Sequence, residues 1–126
     1  MKQEDKDLLL LDLCSRLPYE VKIQYEDNIF TIDYISAMYE EIKLNTPNKY
    51  TIDVLEVKPY LFPLSSMTEE QEMEYDATFD TIVYEDGRKD SVMTYKSFDW
   101  LNKNNFDYRG LIPMGLAIDA TNLNIY

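Results

Sequence analysis

The chain has no histidine, one cysteine and only three glycines in 126 residues. The missing histidine removes the commonest general base, the usual partner of a nucleophilic serine or cysteine, and the commonest zinc ligand. A lone cysteine forbids an intramolecular disulfide, whereas small secreted domains often carry several. Gly110 and Gly115 lie too far apart to form a glycine-rich phosphate loop. Bases are scarce as well: twelve lysines and arginines face twenty-four acids, a net charge of −12. That balance disfavours duplex nucleic acid, whose affinity comes mainly from phosphate neutralisation, and anionic membrane surfaces. The longest apolar runs, residues 8–11 and 116–118, fall far short of the ~20 residues that a membrane helix needs. No Asp-x-Asp-x-Asp-Gly calcium loop, repeat, low-complexity tract or linker is found. The N-terminal MKQEDKD is mostly acidic where a signal peptide carries positive charge, so a cytoplasmic location is expected.

What is present suits one folded domain spanning residues 1–126. Apolar residues make up 45% of it, with eleven tyrosines and five phenylalanines. The segment EDKDLLLLDLCSRLP predicts a helix ending before Pro18. Leu9, Leu10, Leu13, Cys14 and Leu17 fall on one face of it, which makes Cys14 a small core residue, while Leu8 and Leu11 fall outside. Residues 19–25 alternate strictly between apolar and polar and predict a strand. Glu26-Asp27-Asn28 predicts a turn, and residues 29–35 the return strand of a hairpin. Residues 38–44 suit a strand or a short helix, and residues 50–57 a further strand. Lys58-Pro-Tyr-Leu-Phe-Pro-Leu64, with two prolines in five positions, predicts an irregular crossing loop. Thr68-Glu-Glu-Gln71 fits a capping box and opens a second helix with Tyr75, Phe79, Ile82 and Val83 inward, ended by Glu85-Asp86-Gly87. Residues 91–95 suit a short strand and residues 97–103 a helix carrying Trp100. The order gives an α+β class: an N-terminal helix, a small antiparallel sheet of three to five strands, and two to three further helices on one side.

Two constellations could carry function. Between Glu69 and Asp90 nine acids stand against two bases, so seven of the net negative charges fall in this short segment. Glu69, Glu70, Met73, Glu74, Asp76, Asp80 and Tyr84 form a candidate protein-binding face, negative with apolar residues set into it. The acids, Glu72 among them, have i,i+3 and i,i+4 spacing, but without adjacent bases they read as a solvated surface and not as a metal or catalytic site. The second constellation is WLNKNNFDYRGLIPMG. Trp100, Tyr108 and Arg109 could form a stacking and anion-binding cluster for a small ligand. The structural alternative explains the stretch by its turns. Asn102, Asn104 and Asn105 suit a helix exit, Asp107 caps a turn of helix over residues 108–112, and Pro113 stops it. Arg109 would then pair with Asp107, Asp99 or an acid of the second helix.

KPYLFPLSSMTEEQ and DWLNKNNFDYRGLIPMGLAIDA, with the opening EDKDLLLLDLCSRLPY, resemble a family of short uncharacterised proteins from gut anaerobes and their phages. The resemblance is weakest over residues 29–50 and 83–95, and Phe62 stands where relatives often have arginine. It implies a phage or mobile-element setting and carries no established activity. Residues and resemblance together lead to the expectation of a non-enzymatic protein without metal or cofactor. It would bind a protein partner, a basic one by charge, with neither nucleic acid nor membrane as target; a small-molecule-binding domain is the alternative.

Overall fold

The structure, a computed structural model, describes residues 2–126. Helix α1 (Lys2–Arg16) carries Glu4 and Asp5 in its first turn and Arg16 in its last, each complementary to the helix dipole. It ends before Pro18, as the sequence predicts, and residues 17–19 tighten into a single 3-10 turn. Its buried face differs from the expected one: Leu9, Asp12, Leu13 and Arg16 point inward at i, i+3, i+4 and i+7, and Cys14 is exposed. An aspartate and an arginine that neutralise each other can occupy the core face, so counting apolar residues alone sets the helix at the wrong rotation. Partial burial still pushes the Cys14 thiol above its ordinary pKa, which makes it a poor nucleophile.

Strands β1 (Ile23–Tyr25) and β2 (Asn28–Phe30) form the expected hairpin, but its return strand ends at Phe30 and does not run on to Ile35. Glu26 and Asp27 take φ of 47° and 63°, the left-handed geometry of a two-residue turn that matches strand twist. The first strand starts at Ile23 and not at Tyr19, because Glu20 adopts φ 56° after the 3-10 turn. Strands β3 (Ile32–Ser36), β4 (Glu41–Leu44) and β5 (Thr51–Asp53) make a separate antiparallel sheet in that order. The ambiguous segment at 38–44 is therefore a turn leading into a strand, and the strand expected over 50–57 stops at Asp53, which caps a 3-10 turn.

The proline-rich segment is not a loop. It is β6 (Lys58–Pro63), which pairs on both of its edges, antiparallel with β1 and parallel with two short strands, β9 (Phe106–Asp107) and β10 (Ile118–Asp119). The N–H groups of Tyr60 and Phe62 donate to Lys22 O (2.9 Å) and Asn105 O (2.8 Å), on one edge of the strand. Backbone direction alternates along a strand, so Pro59 and Pro63 face the other edge. Short β10 pairs there only with Tyr60 and Leu61, and neither missing N–H removes a ladder bond.

Helix α2 (Glu69–Asp76) has the expected capping box: Thr68 Oγ accepts the Gln71 N–H (3.1 Å) and Gln71 Oε1 accepts the Thr68 N–H (2.9 Å). It ends two turns earlier than predicted. The Thr78 hydroxyl donates to Tyr75 O (2.6 Å) and competes with the next helical bond, and the β-branched run Thr81-Ile82-Val83 favours extension. The chain then forms a hairpin, β7 (Asp80–Val83) and β8 (Lys89–Val92), with Ile82 and Val83 exposed and not inward. Helix α3 (Tyr95–Lys103) carries Trp100. No helix forms over 108–112; the Asp107 carboxylate instead accepts the N–H groups of Leu111 and Ile112, both at 2.9 Å, within a turn.

The α+β class is as expected, with three sheets in place of one. One core joins Leu9 and Leu13 of α1 to Ile23, Ile42, Leu61 and Leu111. Among the described residues no helix is long and apolar enough to cross a membrane. Tyr126 closes the sheet: its hydroxyl accepts the Lys22 N–H (2.9 Å) and donates to Tyr60 O (2.8 Å). Burial pushes this phenol up to about 12, against smaller opposing effects of the Lys22 hydrogen bond and the Arg16 charge. The folded chain thus keeps Tyr126 neutral where the unfolded chain, with a phenol pKa of about 10, ionises it. Stability from this clamp is complete below the unfolded pKa and falls as pH rises toward the folded one. Absorbance titration of tyrosinate should show a transition near 12 that Tyr126→Phe removes, and the variant should lose less stability at alkaline pH.

Candidate functional site

The small-ligand candidate, Trp100 with Tyr108 and Arg109, is divided between two places. The exit of α3 sets this up: Asn105 at φ 62° reverses the chain into β9. Phe106 then enters the interior, and the Trp100 ring stacks on it at 5.6 Å and 8°. The other ring near Trp100 is Tyr75 of α2, at 5.5 Å. Tyr108 and Arg109 face α1. The Arg109 guanidinium lies over the Tyr108 ring (4.5 Å) and donates to Asp12 Oδ1 (2.9 Å) and Tyr108 Oη (2.7 Å). Its partner is therefore an acid of α1, not Asp107, Asp99 or an acid of the second helix.

Asp12 is the centre of that cluster. Its carboxylate is fully buried and accepts Arg16 Nε at 2.8 Å and Arg16 Nη2 at 3.0 Å, a two-point contact, in addition to Arg109. Arg16 Nη2 also donates to Phe106 O (2.6 Å), and Tyr108 Oη donates to Asn102 Oδ1 (2.9 Å). Among the described residues, Arg16 Nη1 and Asn105 Oδ1 are buried without a hydrogen-bond partner. The cluster pins α1 to the segment after α3. A cleft of about 240 Å³ lies elsewhere, lined by Phe62, Gln71, Phe106 and Asn122 among others. It includes none of the three candidate residues and is smaller than the roughly 300–1,000 Å³ typical of small-molecule sites.

The acidic face is laid out differently from the sequence picture but is exposed throughout. Glu69, Glu70, Met73, Glu74 and Asp76 lie on α2, Asp80 on β7 and Tyr84 at the hairpin turn, all of them exposed. The surface is thus a composite of helix and hairpin. Gly87 N–H donates to Tyr84 O (2.9 Å) and Tyr84 N–H to Arg88 O (2.8 Å), with Gly87 at φ 87°. This is a type I turn closed by a glycine bulge, which needs the left-handed conformation there. Every residue from 80 to 91 is exposed. Arg88 is committed within the arm: it pairs with Asp86 (2.7 Å) and lies 4.8 Å over the Tyr84 ring, while Tyr84 Oη donates to Asp90 (2.9 Å).

The root of the arm is fixed. Thr78 Oγ and the buried Ser97 Oγ are hydrogen-bonded (2.8 Å) and Thr94 Oγ donates to Thr78 O (3.0 Å), clamping α2, the hairpin and α3 together. The sequence reading does not pick out these three hydroxyl residues, and it places Ile82 and Val83 on the inner face of a longer helix, whereas both are exposed. The signal was there: Asp86-Gly87 next to a β-branched run is hairpin grammar. Among the described residues, no three acidic or thiol side chains converge as a metal-holding group.

Truncating Asp12 strands two guanidiniums, one of them fully buried, and such a loss costs about 3–5 kcal/mol. Urea denaturation of Asp12→Ala should show that loss; a change below about 1 kcal/mol would contradict the assignment of Asp12 as the cluster's centre.

No protein-family model, curated protein or solved structure matches the chain.

Proposed function

We propose that the chain is a non-enzymatic binding protein that engages a basic protein through the arm formed by α2 and the β7–β8 hairpin. The observation that carries this reading is what the arm exposes. A face that served only solubility would need its acids, but it would not need Met73 at 73% exposure, Val83 at 62% and Ile82 at 41% between them. Apolar contacts ringed by charge are the pattern of a contact surface, with the charge steering encounter and the apolar groups holding the complex. The rigid root supports the same reading, because a pre-ordered surface loses less entropy when it binds.

The phage or mobile-element setting implied by the sequence resemblance makes the partner a host protein, met in the cytoplasm. Nucleic-acid mimicry is one form that such an engagement takes: the acids of the arm would occupy the partner's phosphate-binding surface. Competition between this chain and DNA for the partner reports on that form.

The test is capture from bacterial lysate by the wild-type chain and by a variant carrying Glu69→Lys, Glu70→Lys and Glu74→Lys. A basic protein held by the wild type and lost by the variant should rebind in purified form, with affinity that falls as salt rises. Charge reversal should weaken that purified interaction by at least about tenfold. Identical capture by both chains would overturn the proposal. Glu69 and Glu70 also complement the dipole at the start of α2, so the variant should melt slightly below the wild type, by about 1–2 kcal/mol of stability, and still unfold in one cooperative transition.

A further inference from the structure

We propose that the partner is held by strand addition: a basic, extended segment of it pairs with the outer edge of β7. This rests on the reading of the arm as a protein-binding surface and specifies how the partner lies on it.

The Tyr84 N–H bond to Arg88 O fixes which backbone groups face outward. Hydrogen-bonded and non-bonded pairs alternate in an antiparallel ladder, so with the register Ile82↔Asp90 and Val83↔Lys89, Ile82 directs its N–H and C=O at β8. Thr81 and Val83 direct theirs away from it. Lys89 and Ser91 do the same on the opposite edge. Among the described residues, no third strand pairs with β7 or β8.

The two edges differ. β8 follows Arg88 and begins with Lys89, and lysine on an edge strand is a common guard against pairing with another chain. β7 reads Asp-Thr-Ile-Val, with three consecutive β-branched residues, no proline and no base, all of them exposed. An unguarded edge of high strand propensity is a template for another strand.

Charge selects the occupant. β7 follows directly on acidic α2, and the segment from Glu69 to Asp90 holds nine acids to two bases. A second copy of the chain would bring the same negative segment, on a molecule of net charge −12, against this edge. A segment alternating basic and apolar residues would instead be attracted, with its apolar side chains near Ile82 or Val83.

The experiment uses the full chain and a capped peptide of about ten residues alternating lysine and valine, the length and pattern of a strand-forming ligand. Hydrogen exchange should show the Thr81 and Val83 amides protected by the peptide, and those of Lys89 and Ser91 unchanged. Val83→Pro removes an outward N–H without removing a β7–β8 bond and should weaken binding by at least about tenfold. Ser91→Pro makes the same change on the other edge and should leave affinity unaltered. Protection of the Ile82 amide shows that the hairpin persists in each variant.

Peptide binding with unaltered exchange at Thr81 and Val83 would overturn strand addition, as would equal losses from the two prolines. If binding survives Val83→Pro but is lost on reversal of Glu69, Glu70 and Glu74, the acidic surface stands and the strand mode falls. No binding at all would remove both. A wild-type dimer that Val83→Pro makes monomeric would put a second copy on the edge instead.

Discussion

The fold depends on one buried carboxylate. Asp12 sits in the core face of α1 with no exposed surface and holds two arginines, Arg16 from its own helix and Arg109 from the far end of the chain. A buried ion pair of this kind contributes little net stability compared with an apolar replacement, but it is costly to break and tolerates only one arrangement. Here that arrangement decides the rotation of α1, the path of the segment after α3 and, through Arg16 and Phe106 O, the seating of β9 against β6. The proline-bearing strand β6 is central for the same reason: its partners come from β1, β9 and β10, and the Asp12 cluster brings one of them into place.

Outside that body, the α2–hairpin arm follows other rules. Its side chains are largely solvated, among the described residues its strands pair only with each other, and a short row of hydroxyls and the tilted Tyr75–Trp100 ring contact join it to the rest. An isolated two-stranded hairpin is marginal in water. This one is ordered from its root, where Ser97 is fully buried and shared between Thr78 and Thr94. The contact surface proposed for the arm rests on this division: the core residues lie in the body, and Met73, Ile82, Val83 and the outer edge of β7 stay exposed on the arm.

Local features of this structure were legible in the sequence and distant ones were not. Pro18 ends α1, Glu26-Asp27 turns the first hairpin and Thr68 with Gln71 caps α2, because each is settled within a few residues. Sequence alone makes β6 look like a loop because the harmlessness of Pro59 and Pro63 depends on which edge β10 covers, and β10 lies more than fifty residues away. The partner of Arg109 escapes a local reading because Asp12 is 97 positions earlier, on a face that hydrophobicity alone would not place inward. The length of the second helix is ambiguous because exposed acids and a β-branched run are compatible with a helix face and with a hairpin; Thr78 and Asp86-Gly87 break the tie. The candidate acidic residues are nevertheless all exposed. A surface is set by what stays solvated, and charge shows that in either secondary structure.

The division between body and arm is tested most directly by native-state hydrogen exchange on the wild type and on Asp12→Ala. The amides of Tyr60 and Phe62 should exchange only through global unfolding, and their opening free energy should fall in the variant by its full loss of stability. The Ile82 amide should exchange by local opening of the hairpin, at a free energy below the global value and equal in the two proteins. Exchange of Ile82 at the global free energy, falling together with Tyr60 and Phe62, would contradict the account by making the arm part of the cooperative core.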